Sequence, residues 1–349
     1  MNGYTKLFMY EEMNEYQKIN HFPNSFELTR KDKMCENIVK LQKKFSQDEF
    51  GFIPETYILP EEYNLFISIA NKNNGLSKTE YWIMKPFNLS RGRGIHIFNN
   101  IEKVDPNEPM IISRYITNPL LLNGLKFDLR IYVVVTCLDP LRIFIYNEGL
   151  ARFATEKYCL KNSKLIKFIH LTNYSVNKKN KNFVQNTNAY EDDKGSKWSL
   201  SALFNQLNKI GIDTSLLWSR IYDIIIKSII SSLPQMLKAF SDYSRYRSSC
   251  FELFGYDILI DSELKPWLME INLTPSLACE SPIDFVLKSH LISDMFNLVG
   301  IKQYERRNNF HFIKQINTKP LYRPCSSSIS KMGTYSNIEK ALQVKFNRA

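Results

Sequence analysis

The stretch FELFGYDILIDSELKPWLMEINLTPSL (251–277) contains two carboxylates and an amide that a hairpin would gather. Two strand-like runs flank the polar loop Ser262–Lys265. With Asp261 opposite Pro266, Asp257 falls opposite Glu270, and Asn272 shares the face of Glu270 at the two-residue period of a strand. The other face then carries Tyr256, Ile258, Ile260, Trp267, Met269 and Ile271, a continuous apolar surface. Opposed Cβ atoms lie about 5 Å apart, and at an effective dielectric near 20 two like charges about that far apart repel by about 3 kcal/mol. Such a pair is tolerated when a cation bridges it or one carboxylate is protonated. Hard oxygen donors without His or Cys suit Mg²⁺, which keeps several waters and shares its shell with phosphate oxygens. The plainer alternative is that Asp257 closes a strand and Glu270 is solvated.

Groups suited to phosphate lie earlier in the chain. YWIMKPFNLSRGRGIHIF (81–98) reads as strand, glycine-rich loop, strand, with Lys85 at the end of the first strand. Gly92 and Gly94 let the loop backbone approach a ligand closely. The loop is neither a Walker A loop nor a dinucleotide fingerprint, and the companion motifs of a protein kinase are absent. KFDLR (126–130) puts Lys126, Asp128 and Arg130 on one strand face between apolar neighbours, where the cations need an anionic partner. Arg152 and HLTNYS (170–175) add polar groups beside strand-like sequence, with the lone His170 read as structural.

The elements that must hold these groups are legible as runs. A helix is expected over 31–45, opened by Thr29, and a second just after Pro60, following a short extended piece from 53. Strands are expected over 81–85, 95–98, 110–116, 127–138 and 141–154, a helix over 217–237, a strand pair within 251–273, and helical segments from Pro282 to Leu298. NKNNGLSKTE (71–80) reads as a linker, and a Lys/Asn-rich polar insert follows from Asn177 to Lys197, its asparagines read as compositional drift. Strands mixed with helices without βαβ alternation suggest an α+β enzyme core, divided into 1–80, a catalytic unit over 81–300 and a basic tail over 301–349.

The chain has 349 residues and 46 Lys/Arg against 35 Asp/Glu, a net charge of +11. From Arg306 to Ala349 nine basic residues face one acidic residue, Glu339, so the surplus concentrates at the end. That tail is either a solvated extension or a means of capturing an acidic partner. With 44% hydrophobic residues the chain is neither disordered nor collagen-like. Runs such as IYVVVTCL (131–138) are too short for a bilayer span, and acidic residues stand where a signal peptide would have its apolar core. Six scattered cysteines without a C-x-x-C pair argue against a zinc site or disulfide framework and fit a reducing compartment. The expectation is a soluble cytoplasmic protein.

Taken together, WIMKP…SRGRG, SRYITNPLLLNGLKFDLRIYV, NEGLARFA, HLTNYSVNK and CFELFGYDILID…LKPWLMEINLTPSLACESPID resemble the tubulin tyrosine ligase-like family, particularly polyglutamylases that begin side chains on α-tubulin. The resemblance runs from about Asn20 to Ile301. It implies an ATP-grasp fold holding ATP and Mg²⁺ between sheets, with metal binding by Asp257, Glu270 and Asn272. Lys85, Arg91, Gly92, Ser113, Arg114, Tyr115, Ile116, Lys126, Phe127, Asp128, Thr172 and Asn173 match nucleotide-contacting positions. Arg130 matches a phosphate-facing catalytic arginine, with Glu270 catalytic through the metal. Arg152, Tyr174, Ser175 and Lys197 match positions that hold the incoming amino acid. The implied function is ATP-dependent ligation of free L-glutamate onto glutamates of tubulin C-terminal tails through an acyl phosphate. The implied setting is a monomer on microtubules, including those of cilia and basal bodies, without nucleic-acid or membrane partners. A glycylase or tyrosine ligase on the same scaffold, or a non-catalytic microtubule-binding protein, are the alternatives. The family's small N-terminal domain has no counterpart here, which reads as a truncated or minimal form, and the resemblance fades beyond Gln303.

Overall fold

In the computed structural model the described residues are 5–72, 80–87, 92–99, 104–160 and 167–300; Arg91 and the basic tail lie outside them. Two antiparallel sheets organise the chain. The smaller contains β1 (Thr56–Ile58), β2 (Trp82–Pro86), β3 (His96–Phe98) and β4 (Met110–Arg114), in the order β1-β4-β2-β3. The larger contains β5 (Leu121–Leu122), β6 (Leu125–Leu138), β7 (Leu141–Lys157), β8 (Lys197–Ser199), β9 (Glu252–Ile260) and β10 (Pro266–Asn272), in the order β10-β9-β6-β7-β8 with β5 on β6. Every pairing is antiparallel, as the lack of βαβ alternation suggests.

Helices pack against both sheets. In chain order they are α1 (Leu7–Glu11), α2 (Phe26–Thr29), α3 (Lys31–Lys44), α4 (Gln47–Phe50), α5 (Tyr63–Lys72), α6 (Lys167–His170), α7 (Tyr174–Asn177), α8 (Leu200–Lys209), α9 (Thr214–Tyr243) and α10 (Pro282–Val299). The main core joins α3, α8 and α9 to one face of the sheet through Ile38, Leu203, Ile221, Ile225, Phe127, Ile131, Phe254 and Ile258. The opposite face receives α10 through Leu287, Leu291 and Met295 against Tyr132, Val134 and Leu253. The smaller sheet has its own core around Phe66, Trp82 and Ile112.

Among the boundaries that differ from expectation, three have a clear local reason. Thr29 does not open α3: its hydroxyl donates back to the Ser25 carbonyl, and Arg30 is the cap. Helix α9 starts at Thr214 because the Asp213 carboxylate accepts from the N–H groups of Ser215 and Leu216, and it continues through Pro234 to Tyr243. The hairpin of β9 and β10 begins with Pro266 opposite Ile260, not Asp261. A bulge at Met269 then brings Glu270 opposite Asp257, as expected, and Asn272 opposite Gly255. The expected apolar face is corrected accordingly. Leu268, not Trp267 or Met269, joins Tyr256, Ile258, Ile260 and Ile271 in the core, while the Trp267 indole donates to Asp261.

Candidate active site

A cleft opens where the sheets face each other. From the smaller sheet and its loops come Ile83, Lys85, Gly92, Arg93, Arg114, Tyr115 and Ile116; from the larger come Lys126, Asp128, Asp257, Leu259, Met269 and Glu270. His170, Leu171, Thr172 and Asn173 close one wall from the α6–α7 segment. Gly92 has φ +74, and a Cβ there would sit 2.7 Å from Val176 Cγ2, so the Gly92 backbone rests directly on α7.

The charged lining is buried and paired. Arg130 holds Asp257 with two hydrogen bonds, Nε–Oδ1 at 2.5 Å and Nη2–Oδ2 at 3.0 Å. Arg152 Nη2 reaches Asp257 Oδ2 at 2.8 Å, and the same guanidinium forks onto Asp128. Burial alone would raise the Asp257 carboxyl, but the two guanidiniums overcome it and hold the group well below the usual carboxylate range. Glu270, across the hairpin, lies 3.7 Å from the Lys31 ammonium. The Asn272 amide nitrogen donates to the Gly255 carbonyl, which turns its oxygen away from that carbonyl.

Two lysines meet from the two sheets. Lys85 and Lys126 are both pushed down, chiefly by burial; Lys126 falls to about 7, with Lys85 adding repulsion and Asp128 opposing it. The Lys126 ammonium donates to the Tyr115 hydroxyl at 3.0 Å, which also meets His170 Nδ1 at 3.0 Å. His170 is buried and pushed down to about 4, first by burial and then by Lys126, in keeping with its structural reading.

The expected residues do not all stand together. Ser113 lies in a smaller adjoining cavity with Lys85 and Met269. The guanidinium of Arg114 turns to Glu55 and Glu80. The Phe127 side chain points away from the cleft into the main core, packed on Phe153. Lys197 lies beyond Arg152, held by Asp284 at 2.5 Å and set 4.4 Å from the Tyr174 ring centroid. Ser175 follows Tyr174 in α7. Lys31, at the start of α3, lines the cleft and was not singled out from sequence; among the lysines of that helix nothing in residue type or spacing distinguishes it.

Among the described residues no three His, Cys, Asp or Glu gather as a metal cluster. Two carboxylates and an amide on paired strands nevertheless suit a hard cation that takes its remaining ligands from water and phosphate. Asp257 would have to be shared with, or released by, its two arginines. Cations from both sheets, an apolar wall and opposed carboxylates make this a cleft able to receive a polyanion together with a divalent ion.

The description of the tubulin-tyrosine ligase family matches residues 9–309, and the chain belongs to that family. It is 45% identical over 328 residues to the human tubulin polyglutamylase TTLL5, covering 93% of this chain and 25% of the relative. It is 42% identical over 292 residues to the mouse tubulin monoglutamylase TTLL4 (83% and 24%) and 40% identical over 317 residues to the Caenorhabditis elegans tubulin polyglutamylase ttll-5 (88% and 43%). The chain thus spans about a quarter of the length of the mammalian relatives. No described helix is long and apolar enough to cross a membrane.

Proposed function

We propose that the chain is an ATP-dependent ligase of ATP-grasp type, joining free L-glutamate to glutamate side chains in the C-terminal tails of tubulin, in the cytoplasm on the cytoskeleton. Residues 81–300 would carry the chemistry, with 301–349 a basic extension. The observation that carries the reading is the convergence in one cleft of Lys85 and Lys126 from facing sheets with Asp257 and Glu270, Arg130 standing behind Asp257. Family membership and the names of the relatives support the choice of substrate.

Mg²⁺ held by Asp257, Glu270 and Asn272 would neutralise charge on the phosphate oxygens. Lys85 and Lys126 hold the triphosphate, and Ile83, Ile116, Leu171 and Leu259 offer an apolar wall to the base, beside Thr172 and Asn173. The acceptor carboxylate oxygen attacks the γ-phosphorus and ADP leaves; Arg130, released from Asp257, faces the transferring phosphoryl. The α-amine of glutamate then attacks the acyl carbon, loses a proton and expels phosphate, leaving an isopeptide bond. Arg152 and Lys197, with Tyr174 and Ser175, would receive the carboxylates of the incoming glutamate. Holding three anions in one geometry is the main task of the site.

The test is mass spectrometry of tubulin tails after incubation with the protein, ATP, Mg²⁺ and labelled glutamate, with glycine and tyrosine in parallel. Mass increments from glutamate support the reading. Label from glycine or tyrosine moves the chain to another ligase activity, and no label from any of the three overturns it.

A further inference from the structure

Between α7 and β8 the chain passes through the Lys/Asn-rich insert, where the two residue types take opposite roles. Asn177 is buried, its amide oxygen accepting from the backbone N–H and hydroxyl of Thr155 at 3.1 and 2.9 Å while its nitrogen donates to the Leu171 carbonyl at 2.7 Å. The Asn180 amide donates to Thr155 Oγ1 and Glu156 Oε1, both at 2.9 Å, and Asn182 donates to the same Glu156 oxygen at 2.9 Å. Phe183 packs edge-on against Tyr174 at 5.4 Å. Lys178, Lys179 and Lys181, interleaved with these anchors, are exposed.

This loop borders the cleft. The Lys178 ammonium lies 5.2 Å from the Tyr174 ring centroid, the ring that Lys197 approaches to 4.4 Å. Lys178 also reaches Glu280 at 3.6 Å, and Gln185 donates to the Glu280 carbonyl, so the insert leans on the segment that leads into α10. Among the described residues neither Lys179 nor Lys181 forms an ion pair. Pinning a loop costs chain entropy, and grouping three ammonium ions costs repulsion. Both costs are offset when a chain of negative charges lies across the lysines.

We infer that Lys178, Lys179 and Lys181 are a docking surface for the glutamate-rich segment of the protein whose carboxylate enters the cleft. The identity of the partner rests on the ligase reading. The geometry of the surface, three cations held by Asn177, Asn180 and Asn182 at the cleft rim, does not. Lysine at all three positions suits scattered carboxylates met as point charges, whereas paired recognition of phosphates favours arginine. An acidic peptide is therefore the partner, in preference to RNA.

The experiment compares the full chain with its K178Q/K179Q/K181Q variant in binding a fluorescein-labelled glutamate-rich peptide. At roughly 50 mM salt the variant binds about tenfold more weakly, and the gap shrinks to about twofold near 0.5 M, because exposed charges are screened. Affinity for ATP and the thermal midpoint stay as in the parent. The N180A/N182A variant keeps every lysine but frees the loop, and it weakens peptide binding as well. Equal peptide affinity in parent and K178Q/K179Q/K181Q at low salt overturns the surface, as does a parent chain that ignores the peptide and binds polyuridylate RNA. A parent that docks the peptide through these lysines yet adds no amino acid sinks the ligase reading and leaves the surface standing.

Discussion

Asp257 stands opposite Glu270 because Met269 is bulged out of the ladder between β9 and β10. Before the bulge Leu268 faces Ile258 and fills the core; after it the pairing has moved by one residue and Glu270 faces the cleft. One inserted residue thus lets a short strand satisfy the core with its first half and the site with its second. Bulges commonly re-aim side chains beside active sites in this way.

Glu270 is half-buried and its ion pair with Lys31 is long, at 3.7 Å, so its loss should leave the fold intact. We expect Glu270→Gln to keep the thermal midpoint within about 2 °C, since it removes no core contact. Ligase turnover should fall by about 100-fold or more, because a metal ligand should matter at least as much as the outer groups that orient ligands. The Mg²⁺-dependent part of ATP affinity, followed by titration calorimetry, should fall with it. Turnover near that of the parent would remove Glu270 from the metal site.

Gly255 leaves room for the Arg130 side chain. A Cβ at position 255 would lie 2.8 Å from Pro275 Cβ and 3.3 Å from Arg130 Cδ, on a central strand that cannot move aside. Gly255→Ala should therefore push Arg130 off Asp257 or lift the Pro275 loop. We expect about 1–3 kcal/mol of destabilisation, the usual cost of overpacking, together with a drop in kcat larger than any change in the KM for ATP. Denaturant unfolding and steady-state kinetics check the two parts.

How much of this could be read beforehand varied with the physics that decides each feature. The opposition of Asp257 and Glu270 was expected from period-two patterning with Asp261 opposite Pro266, but the hairpin starts one residue off that register and reaches the same opposition only through the bulge. The bulge was not legible, because Trp267, Leu268 and Met269 are consecutive apolar residues that suit either register. Lys126, Asp128 and Arg130 were identified through their alternation with core residues. The pairing of Arg152 with both Asp128 and Asp257 depends on three strands meeting, which local pattern does not encode. The buried Glu252 is likewise satisfied by His21, Phe22 and Ser25, more than 200 residues away. The asparagines read as compositional drift include Asn177 and Asn180, which anchor a loop, a role set by tertiary contacts with β7.

The depressed lysine at the centre of the cleft gives a proton-linked signature. With Lys126 at about 7 in the folded protein, most of the population is neutral at pH 8.5. A bound triphosphate favours the charged form and draws the value back up. ATP binding at pH 8.5 should thus take up close to one proton, visible as a dependence of calorimetric enthalpy on the ionisation heat of the buffer. Lys126→Arg, charged throughout, should lose that uptake.

The same depression fixes a stability trend. The unfolded chain binds more protons than the folded one between about pH 7 and the ordinary lysine value for Lys126, and between about pH 4 and 6.5 for His170. Stability should rise with pH across both windows, and on acidification His170 should contribute a loss between about 6.5 and 4. Denaturant melts of the parent and His170→Gln at pH 4.5 and 7 should show a smaller acid penalty in the variant.

Asp284 lies fully buried between two lysines, accepting from Lys197 at 2.5 Å and from the Ser281 hydroxyl at 2.9 Å and ion-paired with Lys288 at 2.9 Å. Burial pushes Lys197 down, and Asp284 is the main group that holds its charge. Asp284→Asn removes that support and leaves two buried ammonium groups facing a neutral amide, a change that should cost about 3 kcal/mol or more in stability. If Lys197 meets the carboxylate of the incoming amino acid, losing the partner that holds its ammonium in place should raise the KM for glutamate by about tenfold, the weight of one charge-assisted contact. The KM for ATP should be unaffected. Weaker support for its charge lowers the Lys197 value further, so the glutamate KM of the variant should rise more steeply with pH than that of the parent. A variant equally impaired for both substrates at every pH would show Asp284 to be a fold anchor alone.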